Sequence, residues 1–172
     1  ATFSAAENQT AIGTVSATDA DGDTVSYSLS GTDASSMSIN SSSGVLTFNS
    51  APDYETKTSY SATVTASDGT NSSTQDITVN VTNLNDNTPS ITSGATFSAA
   101  ENQTAIGTVT ATDADGDTLS YSLSGTDASS MSINSSSGVL TFNSAPDYET
   151  KTSYTATVTA SDGTNSVTQN IT

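Results

Sequence analysis

The stretch YSATVTA at residues 60–66 places an apolar side chain at every second position, with Ser or Thr between. This alternation predicts a β-strand with one buried face, because successive side chains of a strand point to opposite faces of its sheet. The same two-residue period recurs at 25–29 and at 77–81. Four shorter apolar groups predict further strands, and they centre on Phe3, Ile12 to Val15, Met37 to Ile39, and Leu46 to Phe48.

Turn sequences separate these seven predicted strands. They are DGD at 21–23, SSSG at 41–44, APD at 51–53 and SDGT at 67–70. No segment carries the 3.6-residue apolar period of an amphipathic helix. Seven short alternating strands joined by frequent turns predict an all-β, Greek-key β-sandwich of the immunoglobulin-like kind.

The chain contains this unit twice. Residues 95–172 repeat residues 1–78 without a gap, and five positions differ: Ser16/Thr110, Val25/Leu119, Ser61/Thr155, Ser73/Val167 and Asp76/Asn170. A period of 94 residues fits one sandwich, so we expect two tandem seven-stranded domains in an extended head-to-tail arrangement. The expected ranges are 1–88 with a linker at 83–89, and 89–172, which stops inside its last predicted strand. Near-identical copies favour an interior piece of a longer tandem array.

The composition excludes several classes of function. Ser and Thr supply 66 of the 172 residues, and 18 acidic residues face two lysines, for a formal net charge of −16. Since the chain has no His and no Cys, it cannot form a disulfide, a Cys/His zinc site or a Ser-His-Asp triad. Two lysines cannot offset a phosphate backbone, so we expect no nucleic-acid partner. We also expect no membrane span and no signal peptide in this sequence.

The acidic residues cluster at predicted strand ends. The strand path places AEN (6–8), PDYE (52–55) and NLNDN (83–87) at one pole of a sandwich, and DADGD and ASDGT at the other. In a head-to-tail pair, the lower pole of the first repeat meets the upper pole of the second. We therefore expect one junction to collect seven carboxylates: Glu7, Asp53, Glu55, Asp86, Asp113, Asp115 and Asp162.

This predicted cluster calls for a cation. Two carboxylates ~4 Å apart repel by about 1 kcal/mol in water, and by more at a partly buried site. Calcium accepts six to eight oxygen ligands, and Asn85 with the carbonyls of Leu84 and Asn87 would add neutral ones. An all-oxygen ligand set favours calcium over zinc or copper, and magnesium prefers a smaller octahedral cage. The alternative is turn chemistry alone, because Asp and Asn favour turns without any metal.

DADGD at 19–23 is not the start of an EF-hand loop. Such a loop needs Gly at its sixth position and Glu at its twelfth, where this chain has Thr24 and Ser30. The paired carboxylates Glu7 and Glu55 could be a glycosidase pair, but no aromatic residues are grouped to line a sugar pocket. We therefore expect the chain not to be an enzyme.

Five motifs in this order resemble those of cadherin-type repeats. They are Glu7-Asn8, Asp19-Ala20-Asp21, Asp53-Tyr54-Glu55, Ala66-Ser67-Asp68 and Asn85-Asp86-Asn87-Thr88-Pro89. The resemblance covers both repeats and implies about three calcium ions at the junction, held by the residues named above. It also implies weak or empty half-sites at the outer ends of the pair: Asp19, Asp21, Asp68, Glu101, Asp147 and Glu149. Ala6 and Asn83 depart from the Pro and Asp of the family pattern.

The resemblance implies an extracellular role. DADGDTLSYSL resembles most the bacterial cadherin-like branch of large surface and biofilm adhesins. The expected function is a calcium-rigidified extender that projects a distal adhesive tip in cell adhesion, with neighbouring identical repeats as its partners. A recognition module that binds polysaccharide or self-associates is the alternative.

Overall fold

The strand predicted from YSATVTA is β6, Ser59–Ser67, in the computed structural model, which describes residues 1–172. It lies inside a four-stranded sheet whose order is β1 (Thr2–Ala6), β7 (Ser72–Thr82), β6 and β3 (Ser26–Ser30). Strand β1 runs parallel to β7, and the other pairs are antiparallel. The second sheet has the order β2 (Ala11–Thr14), β5 (Val45–Phe48) and β4 (Met37–Ile39).

The apolar positions of the alternating strands form the core of this sandwich. Val64 of β6 and Val79 of β7 are buried, as is Leu46 of β5. The intervening hydroxyl residues point outward. The prediction of seven strands in the first repeat is confirmed, as is the Greek-key sandwich. A short 3₁₀ helix at Ala34–Ser36, which carries no apolar period, was not predicted.

The chain divides into two compact units, Ala1–Leu84 and Asn85–Thr172. The second unit repeats the strand order with β11 (Ser120–Ser124), β14 (Ala156–Ser161) and β15 (Ser166–Ile171) in one sheet, and β12 (Met131–Ile133), β13 (Val139–Phe142) and β9 (Ala105–Thr108) in the other. It adds a two-residue pair, β8 (Ser90–Ile91) with β10 (Ala111–Thr112). A second 3₁₀ helix spans Ala128–Ser130.

One predicted strand is missing from the second unit. Strand β1 pairs with Thr78 to Thr82, and the counterparts of those residues in the second copy would be 172–176. Of these the chain has only Thr172, which exchanges two backbone hydrogen bonds with Ala95 and Phe97. The segment 96–100 therefore lacks the ladder that would make it a strand.

Each lysine of the chain braces the loop that enters β6 or β14. Lys57 forms an ion pair with Asp33, and its Nζ lies 4.6 Å from the ring centre of Tyr60. Asp33 Oδ2 also accepts a hydrogen bond from Ser61 N, 2.8 Å away. The Lys57 hydrogen bond and then the Ser61 hydrogen bond hold the pKa of Asp33 below its usual range. The second copy repeats this brace with Asp127 and Lys151.

Candidate metal centre

In the first unit the parallel pairing of β1 with β7 brings Glu7 beside Leu84. Both strands end at the same edge of the sheet, and Glu7 N continues their ladder to Thr82 O. The Glu7 carboxylate then accepts a hydrogen bond from Leu84 N at 2.7 Å and another from Tyr54 N at 2.8 Å. Glu7 is only 2% exposed, which makes it the most buried charged residue of the chain.

Asn8 brings the PDYE loop to the Glu7 carboxylate. Its φ of 62° lies in the left-handed region, which Asn tolerates better than other non-glycine residues. In this conformation Asn8 N donates a hydrogen bond to Pro52 O at 3.0 Å. Carboxylate oxygens of Glu7 and Glu55 consequently lie within 4.8 Å of each other. Asn8 thus supplies the backbone conformation that places the PDYE loop beside Glu7.

Asp53 faces its own turn in this structure. Its two carboxylate oxygens accept hydrogen bonds from Thr56 N at 3.2 Å and from Thr56 Oγ1 at 2.9 Å. The bond from the Thr56 hydroxyl is the largest cause that lowers the pKa of Asp53. In the second copy, Glu101, Asp147 and Glu149 offer oxygens that all lie within 4.8 Å of one another.

In the second unit the β8–β10 pairing carries the linker to DADGD. Ser90 pairs with Thr112, so the residues just before β8 lie beside the residues just after β10. Asp115 Oδ2 accepts hydrogen bonds from Asp86 N at 3.0 Å and from Asn87 N at 2.8 Å. Asn87 Nδ2 also donates to Asp115 Oδ1 at 2.8 Å. Oxygens of Asp86 and Asp115 lie within 4.8 Å of each other.

Asp162 lies on the other side of the same linker. Its carbonyl oxygen is 3.5 Å from Asn85 Nδ2, and its Oδ1 accepts hydrogen bonds from Thr164 N at 2.7 Å and Asn165 N at 2.6 Å. Desolvation raises the pKa of Asp162, but the hydrogen bonds from Asn165 and Thr164 outweigh it and leave the pKa below its usual value. The carboxylate is therefore ionised at neutral pH.

Two residues of this group, Asn165 and Asp117, were not predicted from the sequence as part of the site. Asn165 Nδ2 donates to Asn85 Oδ1 at 3.2 Å and to Asn87 O at 3.1 Å. Oxygens of Asp113, Asp115 and Asp117 lie within 4.8 Å of one another. Asp117 could have been found as the third Asp of DADGD, and Asn165 as the Asn that follows SDGT.

Two carboxylate oxygens in this unit have no hydrogen-bond partner although they are buried. They are Asp113 Oδ2 and Asp162 Oδ2. A buried carboxylate oxygen without a donor is costly, because the protein no longer replaces the water that solvated it. A hard cation is the partner that this donor set of carboxylate, amide and carbonyl oxygens suits, and calcium needs such a set. The residues present therefore fit a calcium ion.

The corresponding residues of the first unit are satisfied without a cation. Asp68 Oδ2 accepts a hydrogen bond from Asn71 Nδ2 at 3.3 Å, and Asp68 Oδ1 accepts from Asn71 N at 2.6 Å. The Asn71 backbone hydrogen bond is the largest cause that lowers the pKa of Asp68. Asp19 Oδ1 accepts from Asp21 N at 2.9 Å and from Asp23 N at 3.1 Å. Identical sequences thus make different contacts in the two units.

These are two Greek-key β-sandwich modules with acidic loops at their strand ends. The profile of the cadherin domain matches residues 1–82 and 95–172, so the chain belongs to the cadherin family. Cadherin domains generally bind calcium at the linkers between domains, and they are adhesion modules. The family assignment confirms the expectation that the chain is not an enzyme.

Curated relatives are far longer than this chain. Human protocadherin Fat 4 is 36% identical over 161 residues, which cover 86% of this chain and 3% of that protein. Human protocadherin Fat 1 is 37% identical over 151 residues, again 3% of its length. These relatives are animal proteins, so they lend no support to the expected bacterial branch.

Solved structures give the same fold. Protocadherin gammaB7 domains EC3–6, described as a cis-dimer, match with a TM-score of 0.86 at 27% identity and cover 99% of this chain and 49% of that one. Mouse cadherin-23 domains EC22–24 match with a TM-score of 0.80 at 24% identity, covering 99% of this chain and 61% of that one. None of the helices in this chain has the length and apolar character needed to cross a membrane.

Proposed function

We propose that this chain binds about three calcium ions where its two repeats are joined, and that calcium makes it a stiff extender of an extracellular adhesion protein. The proposed protein ligands are Glu7, Asp53, Glu55, Asp86, Asp113, Asp115 and Asp162, with Asn85 and the carbonyls of Leu84 and Asn87. Three calcium ions would balance seven carboxylates almost completely. The proposed domain limits are 1–88 and 89–172, with the linker at 83–89.

The buried Oδ2 atoms of Asp113 and Asp162 carry this proposal, because neither has a hydrogen-bond partner. Both belong to ionisable groups that the sequence assigned to the metal. The linker contacts support the sharing of ions between the repeats. Leu84 N donates a hydrogen bond to Glu7 of the first repeat, and two residues later Asp86 N donates one to Asp115 of the second repeat. Calcium that binds only the ordered arrangement selects it by mass action.

The relatives support the proposed cellular setting. Protocadherins Fat 4 and Fat 1 support an extracellular adhesion protein, and this chain matches 3% of the length of each relative. The narrower setting of a bacterial biofilm adhesin rests on the sequence DADGDTLSYSL alone. A module that self-associates or binds polysaccharide is the weaker candidate, because the exposed large apolar residues are few: Val45, Leu84, Val139 and Tyr148.

A calcium titration by calorimetry after chelator treatment tests the proposal. Asp86→Asn and Asp76→Asn each remove one negative charge, so they are matched in their effect on net charge. Asp76 is an exposed residue whose Oδ1 accepts a hydrogen bond from Thr63 Oγ1 at 2.7 Å, and its counterpart in the second repeat is already Asn. We expect about three sites in the parent chain, weakened in the Asp86 variant and kept in the Asp76 variant.

Equal calcium affinity in the two variants would remove Asp86 from the ligand set. A parent chain that binds no calcium at millimolar concentration would leave the acidic loops as ordinary turns. Sedimentation and glycan binding would then become the measurements to pursue.

A further inference from the structure

The side-chain amide of Asn165 contacts two oxygens of linker residues 85–87, which begin its own unit. Its Nδ2 lies 3.2 Å from Asn85 Oδ1 and 3.1 Å from the Asn87 carbonyl oxygen. We propose that Asn165 is a positioning residue, which docks residues 85–87 on the second repeat and orients both oxygens before calcium arrives. The orientation of metal ligands rests on the function proposed above, whereas the docking does not depend on metal.

The Asn165 backbone is already fixed when its side chain makes these contacts. Asn165 N donates to Asp162 Oδ1 at 2.6 Å, and Thr164 N donates to the same atom at 2.7 Å. The side chain, on a half-buried residue, therefore orders few further torsions when it bonds to the linker. Asp115 holds the other side of the linker through Asp86 N and Asn87 N. Two loops of the second unit, one with Asp115 and one with Asn165, thus hold linker residues 85–87 by hydrogen bonds.

The same two oxygens can accept the Asn165 amide and still bind calcium. A carbonyl oxygen has two lone pairs, so one N–H donor leaves the second lone pair for a cation. Calcium tolerates irregular geometry and variable coordination number, which suits oxygens that are already hydrogen-bonded. Outer groups that orient metal ligands commonly change metal affinity by 10- to 100-fold when removed. Asn165 has that position relative to Asn85 and Asn87.

The first repeat supplies an internal comparison. Asn71 occupies the same place in an identical SDGTN sequence, and its backbone makes the same turn with Asp68. In the first unit Asn71 Nδ2 donates instead to Asp68 Oδ2 at 3.3 Å. The turn alone therefore does not dictate where the amide points. The linker provides the better acceptors in the second repeat.

Asn165→Ala, with Asn71→Ala as its matched control, tests the proposal in the full chain. The first readout is amide hydrogen exchange by NMR in a chelator, and the second is the calcium dissociation constant. Loss of two hydrogen bonds between neutral groups should speed exchange at Asp86 N and Asn87 N about tenfold, and weaken calcium binding by a similar factor. Asn71→Ala should change neither quantity.

Exchange at Thr164 N and Asn165 N reports separately on the turn and should stay unchanged, since Asp162 Oδ1 remains their acceptor. General unfolding or loss of the turn would raise it. Unchanged exchange at Asp86 and Asn87 would overturn the docking, and tighter calcium binding would show that Asn165 competes with the metal. Faster exchange in a chain that binds no calcium would support the docking and overturn the function proposed above.

Discussion

Asp113→Asn is expected to stabilise the second repeat without calcium and to destabilise it with calcium. Asp113 Oδ1 accepts a hydrogen bond from Asp117 N at 3.2 Å, and Asn keeps that acceptor. The substitution replaces the buried Oδ2, which has no hydrogen-bond partner, with an NH2 group, and the side chain becomes an uncharged amide of nearly the same size. The substitution therefore removes a charge while it preserves the shape and the hydrogen bond of the loop.

Without calcium, the expected rise in the free energy of unfolding comes from relief of charge repulsion. Oxygens of Asp113, Asp115 and Asp117 lie within 4.8 Å of one another. At that separation each pair of charges costs about 0.9 kcal/mol in water and more at a half-buried site. Part of this repulsion persists after unfolding, because the three residues are spaced two apart along the chain. The net rise in the free energy of unfolding should be roughly 0.5–1 kcal/mol in low salt.

With calcium, the expected fall in the free energy of unfolding arises because the variant binds calcium more weakly and gains less stabilisation from it. A site that binds only the folded chain adds about 2.7 kcal/mol when calcium is at 100 times its dissociation constant. Removal of a charged ligand should weaken that site at least as much as removal of an outer orienting group, so by about 100-fold. The same calcium concentration then adds only about 0.4 kcal/mol. The expected loss of about 2.3 kcal/mol exceeds the gain found without calcium.

Scanning calorimetry in a chelator and in calcium measures both effects, at roughly 4–8 °C per kcal/mol for domains of this size. Asp19→Asn is the matched control, because Asp19 begins the identical DADGD of the first repeat and keeps its acceptor for Asp21 N. It should shift the melting temperature little in either condition. A melting temperature for Asp113→Asn that falls in the chelator would refute the repulsion argument. Equal calcium-dependent shifts in the two variants would refute the ligand assignment.

Two further predictions concern the scaffold. Gly44→Ala should lower the free energy of unfolding, measured by urea titration, by at least ~2 kcal/mol, because the new Cβ would lie 2.1 Å from Val15 O at a φ of +70°. Gly22→Ala is the control, since Gly22 has a similar φ but open space around it, and it should cost only ~1 kcal/mol. Asp33→Asn should destabilise the first repeat at neutral pH. Lys57 lowers the pKa of Asp33 in the folded chain, so this stabilisation exists above the unfolded pKa and disappears as pH falls through the folded one. Urea midpoints between pH 2 and 7 should therefore converge with those of the parent chain at the acid end, and a constant gap would contradict the ion-pair explanation.

The sequence predicts the sandwich well because its strands are encoded by a local period. Strand β6 alternates over residues 60–66 and strand β7 over residues 77–81, and their buried positions are those that the alternation selects. Strands β8 and β10 have two residues each, too few to show a period, so only the pairing of Ser90 with Thr112 reveals them. That pairing is what carries the linker to Asp115. Part of the candidate site was therefore hidden from pattern analysis.

The hydrogen-bond partners of side chains are hard to predict from sequence. The sequence assigns Asp53 to the metal by its motif, whereas its carboxylate accepts two hydrogen bonds from Thr56 in the structure. Asn165 carries no charge and lies in a turn where Asn is common, so the sequence does not mark it as a residue of the candidate site. Its contacts with Asn85 and Asn87 span about 80 residues of sequence and exist only in the folded unit.

The two repeats also show that identical sequence does not fix the side-chain contacts of these acidic loops. Asp68 and Asp162 occupy identical sequences, yet Asp68 Oδ2 has a donor in Asn71 while Asp162 Oδ2 is buried without one. The difference arises because Asn85 and Asn87 draw the second amide, Asn165, toward the linker. The residues that leave the carboxylate available for a cation thus lie outside the repeated 78 positions. Linker sequence, more than the acidic motifs themselves, should decide which repeats of such an array hold calcium firmly.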